Sequence, residues 1–180
     1  MQKFLFLLLG LLFFTILAKA QNEYLDTNLA NYLKLKFPSC IIYHNPNDYT
    51  YDPGGYTIDT SCPDITNLDS LDIHGLNILS LAGIEYFTSL TYLNGSGNQI
   101  YTSPALHNSL TYFDCSNYGT GESGALFSSL PDLPTSLMYL KCSNVGLYSL
   151  PSLPNSLVYL NCSSENDYTL TSSPRSLKSL

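Results

Sequence analysis

The chain has 180 residues, 44% hydrophobic and only 12% charged, where an average protein carries roughly a quarter charged residues. With 14 Asp and Glu against 7 Lys and Arg, a formal −7, it lacks the basic clusters that neutralise phosphates, which excludes a nucleic-acid partner. Its 15 Tyr and 8 Phe exclude a disordered chain, which needs high charge and few aromatics.

In chain order, Met1-Gln2-Lys3 is a short basic start, and the apolar run from Phe4 to Ala18 follows. Ala18-Lys19-Ala20 supplies the small residues of a signal-peptidase site. The run is shorter than the ~20 residues that span a bilayer. We therefore expect residues 1–20 to be a cleaved signal peptide, the protein to be secreted or displayed at the cell surface, and the processed chain to hold no transmembrane segment. Loss of Lys3 and Lys19 takes the net charge from −7 to −9.

Residues 21–67 are not repetitive. Leu25, Leu29, Tyr32 and Leu33 follow near-helical spacing, Asp26 or Thr27 can start a helix, and Pro38 stops it. The spacing predicts a helix over about 26–36, then a Tyr-, Asn-, Asp- and Gly-rich loop from Asn45 to Tyr56, and a lead-in from Ile58 to Ile65. The acidic loop lacks the spacing of a calcium-binding loop. The segment reads as a helical cap over the open end of a repeat array. Export implies an oxidising compartment, so Cys40 and Cys62, 22 residues apart, are expected to form a disulfide that contributes roughly 3 kcal/mol in the chain-entropy model.

From Leu68 the sequence repeats. Units open at Leu68, Leu90, Leu110, Leu137 and Leu157, with lengths 22, 20, 27, 20 and 20, and Leu177 begins a sixth. The long third unit contains a Gly/Ser-rich insertion near Gly119 to Gly124. Apolar residues fall at unit positions 1, 4 and 6, and the last two have strand spacing with one buried face. Pro131, Pro134, Pro151, Pro154 and Pro174 forbid a regular helix in the return arm, which should be extended or a short 3₁₀ turn. A strand with an irregular return at a 20-residue period is a solenoid coil that must stack on its neighbours to bury its leucines. The expected fold is thus an α/β-type solenoid, mostly β, with five coils over 68–180 and a sixth begun. The break four residues into a coil suggests a longer chain.

These units resemble the leucine-rich repeat family, whose template is L-x-x-L-x-L-x-x-N/C-x-L. The wording of Leu130–Ser143 and Leu150–Ser163 is similar to two bacterial groups. One comprises secreted, Cys-bearing repeat proteins of Bacteroidota-type bacteria; the other, type III effectors whose repeats precede a ubiquitin-ligase domain. The resemblance implies a parallel sheet on the concave side and a role in protein–protein or protein–glycan recognition. It also leaves open the repeat region of such an effector enzyme, or the N-terminal segment of a larger surface adhesin. The template asparagine is clear only at Asn98. Tyr118, Val145 and Glu165 replace it in later units, so Asn117, Asn144 and Asn166 are expected to substitute.

Positions 3, 5 and 7 should face solvent. Position 3 gives a column of Tyr92, Tyr112, Tyr139 and Tyr159; position 5 gives Asp72, Asn94, Asp114, Lys141 and Asn161; position 7 gives His74, Ser96, Ser116, Ser143 and Ser163. The tyrosines and the position-5 residues are the candidate ligand-binding face, because Tyr supplies rigid amphipathic contact area. Cys115, Cys142 and Cys162 share inward position 6 and should be buried free thiols acting as small hydrophobes. The cysteines show no zinc spacing, so neither metal nor cofactor is expected. Asp72, His74 and Ser96 could be drawn as a triad, but on an exposed sheet they lack a buried orienting acid and an oxyanion hole, so no catalysis is expected. Asn94 and Asn161 match the glycosylation pattern, which matters only in a eukaryotic host.

Overall fold

The computed structural model describes residues 24–45, 55–117, 130–147 and 149–163. The expected signal peptide, most of the acidic loop, the insertion of the third unit and the end of the fifth lie outside these residues.

Helix α1 runs from Thr27 to Lys36. Asp26 starts it: its Oδ1 accepts from the backbone N–H groups of Asn28 (2.8 Å) and Leu29 (3.1 Å), satisfying two of the donors that a helix start leaves unpaired. Leu29, Ala30 and Leu33 form its buried side. After it comes an antiparallel pair, β1 (Ile41–His44) and β2 (Gly55–Ile58), which flanks the expected Asn45–Tyr56 loop and takes in its last two residues. The β-branched and aromatic runs IIYH and YTI suit strands. A one-turn helix, α2 (Pro63–Thr66), begins with proline at its first position, where the missing N–H costs nothing. Cys40 and Cys62 form the expected disulfide.

The repeats build a five-stranded parallel sheet in the order β3 (Ser70–Asp72), β4 (Tyr92–Asn94), β5 (Tyr112–Asp114), β6 (Tyr139–Lys141), β7 (Tyr159–Asn161). Every adjacent pair is in register, position 3 on 3, 4 on 4 and 5 on 5. The molecule is therefore mostly β, a solenoid of about four turns with few helices. Position 4 stacks Leu71, Leu93, Phe113, Leu140 and Leu160 in the core, all at most 2% exposed. In the first coil the return arm makes a 3₁₀ turn, Ile84–Tyr86, as the expectation of a short return allowed.

Two side-chain devices hold coil to coil. Three serines that precede a coil-opening leucine donate to the carbonyl that opens the previous coil: Ser109 to Leu90 (2.7 Å), Ser136 to Leu110 (2.7 Å) and Ser156 to Leu137 (2.6 Å). The Ser-Leu dipeptides of the repeat wording are the sequence trace of this ladder. Asn98 is the second device. Its side chain accepts from Leu76 N–H (2.9 Å) and Ile78 N–H (3.0 Å) and donates to Ile73 O (2.7 Å) and Gly95 O (2.9 Å). Buried Val145 takes that place in the fourth coil. Asn144 does not substitute for it: it is exposed and left-handed (φ 56°), in the turn position that Gly75 (φ 65°) and Gly97 (φ 68°) fill in earlier coils. Asn tolerates this conformation better than other non-glycine residues.

α1 lies against the first coil. Asp26 uses its second oxygen to accept from Leu79 N–H (3.1 Å), Asn28 Nδ2 donates to Asn77 O (2.8 Å), and the Tyr32 hydroxyl donates to Asp72 O (2.6 Å). Leu25 fills the space beside Gly83 (φ 98°), where a Cβ would collide with it.

Candidate functional site

The in-register sheet brings the four predicted tyrosines into one column. Tyr92 and Tyr112 are stacked, with ring centroids 4.5 Å apart and planes 13° apart. Tyr112–Tyr139 and Tyr139–Tyr159 open to 6.3 and 6.2 Å with tilts of 34° and 33°. Strand spacing of ~4.8 Å sets the pitch, and ring stacking accounts for the close first pair. Tyr139 is the most open, 42% exposed; Tyr92, Tyr112 and Tyr159 are half-buried.

The position-5 row behaves differently from a free polar surface. Asp72, Asn94, Asp114 and Asn161 each turn Oδ1 onto the backbone N–H two residues on: His74 (3.2 Å), Ser96 (3.2 Å), Ser116 (3.0 Å) and Ser163 (3.2 Å). This local Asx geometry ends each strand, so the row's first duty is structural. Lys141 cannot accept, and in its coil the Ser143 N–H donates to the Ser116 hydroxyl instead (3.3 Å).

Asp114 corrects the expectation of an exposed position 5. It is 3% exposed, with the Tyr112 hydroxyl 3.4 Å and the Lys141 ammonium 3.7 Å from its Oδ2. Lys141 also lies over the Tyr112 ring, 5.5 Å from its centroid. Hydrogen bonding with Tyr112 is the main reason the Lys141 pKa is raised, with the Asp114 charge adding to it. The centre of the face is thus a carboxylate, a tyrosine and a cation closed on one another.

The position-7 serines are the second correction. Ser96, Ser116 and Ser143 are buried, not solvent-facing: the Ser116 and Ser143 hydroxyls bond to the next coil, and that of Ser96 turns back onto Asn94 of its own. The Ser143 hydroxyl donates to Asn161 Oδ1 (2.9 Å) and that of Ser163 to Ser143 Oγ (3.2 Å).

His74 Nδ1 meets Asp72 Oδ1 at 2.7 Å, with the side chains 67% and 50% exposed. Ser96 does not join them: its hydroxyl donates to Asn94 Oδ1 (2.7 Å). Partial burial pushes the Asp72 pKa up, but bonds from His74, the His74 charge and a bond from Asn94 outweigh it and leave it below 3.8.

In the inward thiol column, Cys115 and Cys142 are buried and Cys162 is half-buried, a correction to the expectation of three buried thiols. Burial first, then the neighbouring Cys162 and the Asp114 charge, push the Cys142 thiol up to about 12. Burial likewise pushes Cys115 well above 9.0. Such thiols are poor nucleophiles. Cys40, Cys62 and Asp64 are the group nearest to a metal-ligand set among the described residues, and the disulfide uses both sulfurs. No helix among the described residues is long and apolar enough to cross a membrane. Comparisons with protein-family models, curated proteins and solved structures find no match for this chain.

Proposed function

We propose that the chain is an exported leucine-rich repeat protein, a non-catalytic module that recognises a protein or glycan ligand through the tyrosine face of its sheet. The observation that carries this reading is the in-register column Tyr92, Tyr112, Tyr139 and Tyr159, backed by a row already fixed in rotamer by its own hydrogen bonds. A preorganised aromatic strip loses little entropy on binding. Stacking of like side chains also stabilises a sheet, but that needs no exposed ring, and Tyr139 is open to solvent. The leucine-rich repeat assignment is supported by the position-4 core column and by Asn98, whose four backbone bonds do the work of the template asparagine. Helix α1 serves as the N-terminal cap, since its buried side and its bonds from Asp26, Asn28 and Tyr32 cover the first coil. The disulfide suits a protein outside the reducing cytosol, and residues 1–20 serve as the signal that takes it there.

Affinity capture from growth medium and cell-surface extracts tests the reading. Proteins and glycans retained by the wild type should be lost by the double variant Tyr112→Ala/Tyr139→Ala, with far-UV circular dichroism unchanged. Retention of every partner would sink the face assignment.

A further inference from the structure

The tyrosine column ends at one side on a small residue. Tyr92 pairs in register with Ser70, and among the described residues Tyr112 is the one ring stacked on Tyr92. The far side of the Tyr92 ring therefore meets a rung whose position 3 carries only an exposed hydroxymethyl group. The same rung carries Asp72, half-exposed, with Oδ1 held by His74.

Two strands along, the face shows what this combination of groups attracts. There a carboxylate (Asp114) and a tyrosine ring (Tyr112) hold a cation, the Lys141 ammonium, at 3.7 Å and 5.5 Å. At the Asp72–Tyr92 end the corresponding residue of the next strand is neutral Asn94. Among the described residues no lysine or arginine pairs with Asp72 or lies over Tyr92; the Lys36 ammonium lies over the Tyr32 ring instead, 4.9 Å from its centroid. The sign of the surroundings agrees. Burial first, then Tyr112 and after it the negative charges of Asp72 and Asp114, raise the Tyr92 pKa against the opposing Lys141 charge. The chain as a whole is acidic, which steers cationic partners toward it.

We propose that the Tyr92–Asp72 end of the sheet takes a lysine or arginine side chain from a basic segment of a protein partner. The cation packs on the open side of the Tyr92 ring and pairs with the exposed part of the Asp72 carboxylate. This inference rests on the tyrosine-face reading and narrows it, selecting a basic protein segment over a neutral glycan.

The probes are fluorescein-labelled peptides of alternating glycine and arginine, a lysine counterpart, a citrulline counterpart that is isosteric and uncharged, and maltohexaose as a neutral glycan. Anisotropy is measured at about 0.15 M salt, where screening beyond roughly 8 Å limits attraction by net charge alone. The arginine and lysine peptides should bind, and the citrulline peptide and the glycan should not. Asp72→Asn and Tyr92→Leu should each weaken binding about two- to fivefold, the range of an exposed cation–π contact. Asp132→Asn, the same charge change at an exposed residue of a return arm, should leave it unchanged.

Equal loss in Asp72→Asn and Asp132→Asn would reduce the effect to net charge and overturn the proposal, as would citrulline binding as tightly as arginine, or no peptide binding at all. If no peptide binds while Tyr112→Ala/Tyr139→Ala still loses its captured partners, this inference fails and the face reading stands. If that double variant keeps every partner, the face reading itself has failed.

Discussion

Replacing Asn98 with alanine removes four hydrogen bonds from one buried side chain. The loss strands two backbone N–H groups, Leu76 and Ile78, and two carbonyls, Ile73 and Gly95. A typical intramolecular hydrogen bond contributes about 1 kcal/mol net, and a buried group left unpaired costs about 1–3 kcal/mol. Ile78 is fully buried and Leu76 half-buried, so at least one donor is denied water. The expected destabilisation is about 3 kcal/mol, a large share of a total near 5–15 kcal/mol. For a chain of this size that lowers Tm by roughly 6–12 °C. Urea titration followed by far-UV circular dichroism and tyrosine fluorescence measures it, with no tryptophan to interfere. Asn98→Asp is the informative companion. It keeps the two acceptor bonds but sets carboxylate oxygens against the Ile73 and Gly95 carbonyls, so it should be no more stable than the alanine variant at neutral pH and should recover as the carboxylate is protonated. A loss below about 1 kcal/mol for Asn98→Ala, with the urea slope unchanged, would mean that the asparagine does not hold the coils and that the reasoning is wrong.

Asp26→Ala should cost about 1–2 kcal/mol, since it removes the start of α1 and its tie to Leu79 together; a value within error of zero in the same urea assay contradicts that double role. Thiol titration in denaturant without reductant should give three free thiols, and five after reduction; in the native protein at pH 8 Cys162 should react first and Cys115 and Cys142 far more slowly, because burial raises both of their pKa values. The folded-state pKa of Asp72 lies below 3.8, so its stabilisation is present above that value and is lost as pH falls through the lowered one. The stability difference between wild type and Asp72→Asn should therefore shrink between pH 5 and pH 2, and a difference that is flat or grows on acidification refutes the assignment.

The sheet was legible because the repeat fixes it. Apolar residues at positions 1, 4 and 6, recurring about every twenty residues, allow one strand register, and the tyrosine column follows from that register alone. What alternation could not show is how deep an outward-pointing residue ends up. Asp114 points outward by period, yet it is buried because the Tyr112 hydroxyl and the Lys141 side chain from the next strand lie across it. Ser116 and Ser143 are buried for a related reason, since the turn after each strand folds their hydroxyls against the neighbouring coil, while the Ser96 hydroxyl is folded back onto Asn94. The β1–β2 pair was missed because a long polar stretch separates two four-residue runs, with no two-residue turn signal between them. The ladder of Ser109, Ser136 and Ser156 was visible in the sequence as a repeated Ser-Leu, but its meaning depended on which carbonyl of the previous coil stood within reach.

The measurement that tests the central claim most directly compares ligand capture by three folded proteins: wild type, Tyr112→Ala/Tyr139→Ala, and Tyr101→Ala, whose ring is 56% exposed and lies off the column. The account predicts that the double variant loses the ligands that wild type and Tyr101→Ala retain. Equal capture by all three would contradict it and leave the tyrosines as a stabilising stack.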